Sequence, residues 1–419
     1  MRTISLTELC VVFGRIGLLS FGGPAAQIAL MHRELVEERD WLDEETYLRA
    51  LSLCMLLPGP EAMQLATYAG WRLRGMIGGI IAGGLFVLPG AIVIAVLASL
   101  YAMYGQVPWV QAAFVGIKAA VIIIVIKALQ GVSRKALTDR NAWPIAALAF
   151  VAIFALNLPF PLIIAAAALW GYWRAEGTQQ APPPPSHRFP VGTAATWLAL
   201  WLVPLIGLTL ADATLLSEIG WFFAKLAVVT FGGAYAVLAY MTQTVVEQYG
   251  WISTDQMIDA LGLAETTPGP LILVTQFVAM LTGTIQGGVG LALAAGFTAL
   301  WATFVPCFLW IFLAGPYLDQ IAARPRLSAA LKAITAAVVG VILNLTVWFA
   351  MNVLFGGLGQ ILLGPVTLPW PNVTQLDVQA LILTALAALL LLKAKLGLGA
   401  TLVIMALSAT ALNLLSATI

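Results

Sequence analysis

Ser20-Phe21-Gly22-Gly23-Pro24, then Trp41, then Pro58-Gly59-Pro60: this order of residues occurs twice in the chain. The second copy reads Thr230-Phe231-Gly232-Gly233-Ala234, Trp251 and Pro268-Gly269-Pro270. The offset of 210 residues never slips between Phe13/Phe223 and Pro60/Pro270, and 16 of those 48 aligned columns are identical. Arg15 is matched by Lys225 and Glu37 by Glu247 in the same window. Two related halves inside a hydrophobic chain are the pattern of a secondary transporter, with its site between the halves.

Composition points the same way. Hydrophobic residues make up 61% of the chain and charged ones 9%, against about a quarter charged in a soluble domain. Apolar runs at 75–103, 108–127, 291–317 and 329–354 each reach the roughly 20 residues that a membrane helix needs. A polytopic all-α membrane protein is the expectation, with the lipid bilayer as its surroundings. The net charge of +1 gives no reason to expect a nucleic-acid partner. Cys10, Cys54 and Cys307 have no paired spacing, and His32 and His187 are too few and too distant for a metal cluster. No metal and no cofactor are expected, and no nucleophile–base or metal constellation supports an enzyme. The N-terminal apolar run has no small-residue cleavage site, and its repeat copy lies mid-chain, so it reads as a retained helix.

One composition break, 174–190 with Pro182-Pro183-Pro184-Pro185, is a stiff extended linker unsuited to the bilayer. It divides the chain into an N-terminal repeat (1–173), a linker (174–193), an extra connecting helix (194–210) and a C-terminal repeat (211–419). Thirteen segments are expected, at 9–31, 50–71, 75–103, 109–130, 142–157, 160–173, 194–210, 221–241, 260–282, 288–316, 327–355, 377–392 and 396–415. The odd helix in a six-one-six order turns the second copy upside down, an inverted repeat. With the N-terminus in the cytoplasm, 12 of the 15 loop arginines and lysines fall inside and only Arg33, Arg39 and Arg49 outside. Re-entrant Pro-Gly-Pro segments give parallel halves and a poorer ten-to-five split, so charge placement favours inversion. The short segments around Asn157-Leu158-Pro159 read equally as a hairpin that does not fully cross.

Each repeat also carries an amphipathic connector, 34–49 and 244–259. After the shared tryptophan comes a helix start: Asp43 in one copy, Ser253 with Gln256 at capping-box spacing in the other. These read as surface helices that anchor the repeats, with the tryptophans at the interface.

The motifs that carry chemistry are the helix breaks. Paired glycines, and Pro24 in the first copy, weaken a membrane helix and expose its amides. Such breaks survive where protein or a water-filled cavity satisfies them; close packing through small residues is the plainer reading. Pro58-Gly59-Pro60 and Pro268-Gly269-Pro270 must interrupt a helix, and the restarted helix aims free N–H groups and a positive dipole end inward. A structural kink is the alternative. Arg15, Lys118, Lys127, Lys225 and Lys332 cannot be placed in loops, and a cation in the membrane normally faces a partner or a pathway. Arg15 and Lys225, with Lys118, suit a small oxyanion, whereas Lys127 and Lys332 snorkel near span ends. Glu61 and Glu265 beside the breaks suit a coupling proton, or equally a structural partner for Arg15 or Lys225. Thr266, Thr267, Gln64 and Gln276 add neutral polar groups there.

The doubled Phe-Gly-Gly, Trp and Pro-Gly-Pro pattern resembles the chromate ion transporter family in its two-domain form, over nearly the whole chain. The family pattern falls on Phe21, Gly22, Gly23, Pro24, Trp41, Pro58, Gly59, Pro60 and Glu61. It falls again on Phe231, Gly232, Gly233, Trp251, Pro268, Gly269 and Pro270. The resemblance implies a multi-pass inner-membrane protein that exports chromate, coupled to protons, and confers chromate resistance. The second copy departs from the pattern at Ala234 and Leu271, so the two half-sites are not equivalent. Sulfate has nearly the same shape and charge, so a sulfate-like oxyanion stays open as substrate, as does an uncoupled anion channel. Self-association as a homodimer is compatible with the sequence.

Overall fold

The structure, a computed structural model, describes residues 4–175, 190–231, 234–318, 324–363 and 366–417. Most of the proline-rich linker, together with Gly232 and Gly233, lies outside the described residues. The chain divides into two compact units, and each takes pieces from both sequence repeats.

The first unit comprises Met1–Ser99, Tyr172–Val237 and Thr267–Leu331. Helix α1 (Leu6–Leu19) opens on a capping box in which Ser5 Oγ accepts from the Glu8 N–H and the Glu8 carboxylate accepts from the Ser5 N–H. α2 (Gly23–His32) follows and continues as a π-helical turn, Arg33–Glu37. α3 (Glu44–Leu56) is capped by Asp43, whose carboxylate accepts from the Thr46 N–H at 2.8 Å. α4 (Glu61–Tyr104) folds back on itself at Arg74 and Gly75, where φ reaches 63°. The two limbs lie so close that a Cβ on Gly70 would stand 2.2 Å from the Gly78 carbonyl oxygen, an approach only glycine permits. α8 (Val191–Leu210), α9 (Thr214–Val229) and the start of α10 (Ala234–Thr242) come next. A 3₁₀ turn (Leu271–Leu273) then leads into α12 (Val274–Ala314), which folds back at Gly287 and Gly288 as α4 does. α12 packs on α8 and α9; Trp201 Nε1 donates to the Ala302 carbonyl at 3.1 Å and Trp197 stacks on Phe308. Phe13, Ile16, Phe223 and Phe277 fill the interior.

The second unit comprises Leu100–Gly171, Leu238–Thr266 and Lys332–Ile419. It holds α5 (Pro108–Ala136), α6 (Ala142–Phe154), most of α7 (Phe160–Arg174), and α11 (Thr254–Thr266). The rest is most of α13 (Pro325–Leu354), α14 (Val378–Ala388) and α15 (Leu398–Ala417). α5 rests on α14 and α15, where a Cβ on Gly116 would stand 2.1 Å from the Met405 carbonyl oxygen. Gly340 of α13 meets the Ala146 carbonyl of α6 just as closely. The long helix of each repeat therefore seats on the terminal hairpin of the other. The turn between α6 and α7 contains Asn157 at φ 51°. One exception to an all-α fold appears: β1 (Leu358–Leu363) and β2 (Val366–Pro371) pair antiparallel, with Leu358 opposite Pro371. Its short runs carry no helical period, and it fills the stretch between two expected spans.

Among the described residues six helices are long and apolar enough to cross a membrane: Glu61–Tyr104, Pro108–Ala136, Val191–Leu210, Leu271–Tyr317, Pro325–Leu354 and Leu398–Leu415. Their outward faces are apolar, with Ile77 62%, Phe297 62% and Leu407 65% exposed, as suits a lipid solvent rather than water. This is a multi-pass helical membrane protein.

Candidate functional site

Both kinds of motif interrupt a helix, as their composition dictates. α1 stops at Leu19, and Ser20 closes it by donating its hydroxyl to the Ile16 carbonyl at 2.6 Å. Gly22 and Gly23 then take φ of 87° and 80°, and α2 restarts with Pro24 in its first turn. In the second copy α9 stops at Val229 and Thr230 Oγ1 donates to the Leu226 carbonyl, again at 2.6 Å. The Pro-Gly-Pro motifs separate α3 from α4 and α11 from α12, with Gly59 at φ 121° and Gly269 at φ 85°.

Within the first unit these four breaks are tied together crosswise. Gly59 N–H donates to the Thr230 carbonyl at 2.8 Å, and Gly269 N–H donates to the Ser20 carbonyl at 2.9 Å. The Pro-Gly-Pro of each repeat thus satisfies the Phe-Gly-Gly break of the other. A carbonyl at an unwound turn has lost its intrahelical partner, and in a low-dielectric interior it must find another. The two glycine amides are therefore committed to carbonyls, and what remains for a solute is the first-turn amides of the restarted helices.

The symmetry is incomplete. Gln27, fully buried, donates its Nε2 to the Gly269 carbonyl at 2.7 Å and to the Ser20 carbonyl at 3.2 Å; its repeat mate is Val237. Gln64 Nε2 donates to the Pro58 carbonyl at 2.6 Å, and its mate is Val274. Gln276 Nε2 donates to the Ala91 carbonyl at 3.0 Å. Gln64 Oε1, Gln276 Oε1 and Thr303 Oγ1 are buried polar atoms of this unit without a hydrogen-bond partner in the protein. Such groups mark a polar interior and not plain core packing. Glu61 is the first residue of α4, where the helix dipole favours a carboxylate. Leu271 holds the matching place, which leaves that helix start uncharged.

The cations separate by environment. Arg15 Nε lies 3.6 Å from Glu34 Oε1, and Arg39 Nη1 lies 2.5 Å from Glu34 Oε2. The Glu34 side chain is completely buried while that of Arg15 stays 53% exposed. Arg15 thus finds its partner on the connector, in Glu34 and not in Glu61 or Glu265, the acids that the sequence offers. Lys225 is exposed and has no ion-pair partner among the described residues. Lys118 belongs to the second unit, where Asp255 Oδ1 lies 2.9 Å and Asp259 Oδ1 3.4 Å from its Nζ. Lys127 and Lys332 are exposed. Glu265 is buried at the end of α11, also in the second unit. On the connector, Ser253 and Gln256 form the expected capping box. His32 Nε2 stands 2.6 Å from Glu44 Oε2 and Nδ1 3.1 Å from Glu37 Oε1. The hydrogen bond to Glu44 holds the imidazole above its ordinary pKa, against the opposing effect of burial.

The structure therefore gathers both Pro-Gly-Pro motifs, Ser20 to Pro24, Thr230, Glu61, Arg15 and Lys225 in one unit, and places Lys118 and Glu265 in the other. Helix starts, a guanidinium and an ammonium are groups of the kind that can attract an anion, although Arg15 is already paired with Glu34. Among the described residues no group of three or more metal-ligating side chains occurs.

The sequence profile described as "Chromate transporter" matches residues 7–172 and 217–412. The "Chromate transport protein" of Cupriavidus metallidurans is 34% identical over 343 residues, covering 81% of this chain and 81% of that protein. The "Probable chromate transport protein" of Synechococcus elongatus is 32% identical over 81% of this chain and 83% of its own length. The "Chromate transport protein" of Pseudomonas aeruginosa is 31% identical over 81% of this chain and 80% of its own. No solved structure matches the chain.

Proposed function

Because this chain belongs to the chromate transporter family, we propose that it is a secondary active transporter that exports chromate across the inner membrane, coupled to protons, and so confers chromate resistance. The observation that carries the reading is the crosswise pair of hydrogen bonds, Gly59 to Thr230 and Gly269 to Ser20. They bring four interrupted helices from two repeats to one place, the arrangement in which inverted-repeat transporters hold a solute. The names of the relatives support chromate as that solute.

In this reading the repeats are inverted across the membrane in a six-one-six order, with the N-terminus in the cytoplasm. The dianion meets the first-turn amides of the restarted helices, with Gly22 and Gly23 keeping backbone close to it; Gly232 and Gly233 are assigned to the same site from the sequence pattern alone. Pro58, Gly59, Pro60, Pro268, Gly269 and Pro270 fix the breaks. Arg15 offers a guanidinium fork and Lys225 a point charge. Glu61 and Glu265 are the carboxylates beside the breaks that suit proton coupling. Lys118 is already held by two aspartates, which favours a different role for it.

The test is uptake of labelled chromate into inverted vesicles, with sulfate as competitor and with and without a protonophore. Saturable uptake that the protonophore abolishes is expected; uptake that ignores the proton gradient and does not saturate refutes the reading in favour of a channel. Arg15→Ala or Lys225→Ala is expected to abolish resistance while the protein remains in the membrane. Fully resistant variants refute the site.

A further inference from the structure

Away from the broken helices, the second unit contains a charged cluster that the site does not use. Lys118 on α5 stands between Asp255 and Asp259 of α11. Asp255, in the first turn, is 82% exposed, whereas the Asp259 side chain one turn deeper is only 8% exposed. Tyr101, in the last turns of α4, donates its O–H to Asp259 Oδ2 at 2.6 Å. Asp259 Oδ1 is different: it is buried, it lies at ion-pair distance from Lys118, and it has no hydrogen-bond partner. α15 also packs on α11 but carries no titratable side chain. One ammonium therefore faces two carboxylates, a surplus of one negative charge, and the buried carboxylate has one oxygen without a hydrogen bond. A buried acid in that position is neutralised either by the full charge of its cation or by a proton.

We propose that Asp259 is a proton-binding residue of the transport cycle, with Lys118 and Tyr101 as its positioning residues. The proton adds to Oδ1. Lys118 is then released to Asp255, the partner it already approaches more closely, and loss of the proton draws the ammonium back. The proton comes from water and returns to water, and no bond but the O–H is made or broken. Asp255 marks the solvent end of the path and Asp259 its buried end. The idea rests on the proton-coupled reading above, and it adds to α11 an acid that the repeat comparison never singled out, since Asp259 is matched by Arg49.

The test uses the purified full chain in lipid vesicles and reads the carbonyl stretch of protonated carboxyls by infrared difference spectroscopy across a pH titration. Asp259→Asn is expected to remove one component of that band, and Asp255→Asn to leave it. Lys118→Met and Tyr101→Phe each take away a group that favours the carboxylate, so each is expected to shift that component to higher pH. A band unchanged in Asp259→Asn overturns the proposal. So does an unmoved midpoint in both Lys118→Met and Tyr101→Phe, which covers the case in which Asp259→Asn does not fold. These readings need no chromate and stand apart from the transport reading, which fails on its own if wild-type vesicles take up none. In the same vesicles Asp259→Asn is expected to lose accumulation driven by a pH gradient while retaining chromate exchange at equal pH. Unimpaired accumulation overturns the proposal as well.

Discussion

Replacing Gly59 with alanine tests the crossing at its tightest point. Gly59 sits at φ 121°, where a side chain costs about 1–3 kcal/mol of backbone strain. The added Cβ would lie 2.8 Å from Gln64 Nε2 and 3.0 Å from Cys307 Sγ. Gln64 Nε2 donates to the Pro58 carbonyl at 2.6 Å, so pushing it aside also removes a buried hydrogen bond, about 1 kcal/mol. The expected loss is about 2–4 kcal/mol. Gly269 is the control. Its φ is 85° and its nearest obstacle is Leu273 Cδ1 at 3.2 Å, the far end of a flexible side chain. Gly269→Ala should therefore lose only the backbone part, about 1–2 kcal/mol. The assay is denaturant unfolding of the purified protein in lipid or detergent, with Gly59→Ala, Gly269→Ala, Cys307→Ala and the double variant Gly59→Ala/Cys307→Ala. Removing the sulfur should return part of the loss at Gly59, a coupling that a double-mutant cycle measures. Equal losses at the two glycines, or no coupling to Cys307, would refute the argument.

Three further outcomes follow from the same geometry. Gln27→Leu deletes both bonds that brace Ser20 and Gly269 and should destabilise by about 1–3 kcal/mol in the same unfolding assay. Arg39→Ala leaves the buried Glu34 carboxylate with only the more distant, half-exposed Arg15. A loss of about 3–5 kcal/mol is expected, and adding Glu34→Gln should restore much of it. His32 has its pKa raised in the folded state by Glu44, so its contribution is fully present below about pH 6.5 and disappears as pH rises through the folded value. Unfolding curves of wild type and Glu44→Gln should therefore differ at acid pH and converge at alkaline pH; a constant difference counts against the His32–Glu44 pair.

The breaks were legible in the sequence because glycine and proline act locally. Two prolines flanking a glycine strip a helix of more hydrogen bonds than a single proline does, and single prolines such as Pro89, Pro204 and Pro306 stay inside helices here. The caps at Asp43 and Ser253 were legible for the same reason. Partnerships were not. Lys118 pairs with Asp255, 137 positions away, and Arg15 with Glu34 on a connector that composition marks only as polar. The mixing of repeats within each compact unit was hidden as well. It depends on contacts such as Gly116 against the Met405 carbonyl, which a small residue permits but does not specify. The β hairpin was invisible because its two six-residue strands lie in a stretch read only as the gap between spans.

The brace between Gln27 and Gly269 joins residues 242 positions apart, which sets a schedule for synthesis. At 5–20 residues per second a ribosome needs roughly 10–50 s to make that much chain. For that interval the first break is already in the membrane while its amide donor does not yet exist. The nascent N-terminal repeat must wait with the Ser20 carbonyl held by the Gln27 side chain alone, without the Gly269 amide that completes the crossing. A chain cut short anywhere before Gly269 is therefore expected to be cleared as an orphan and not to persist as half of a transporter.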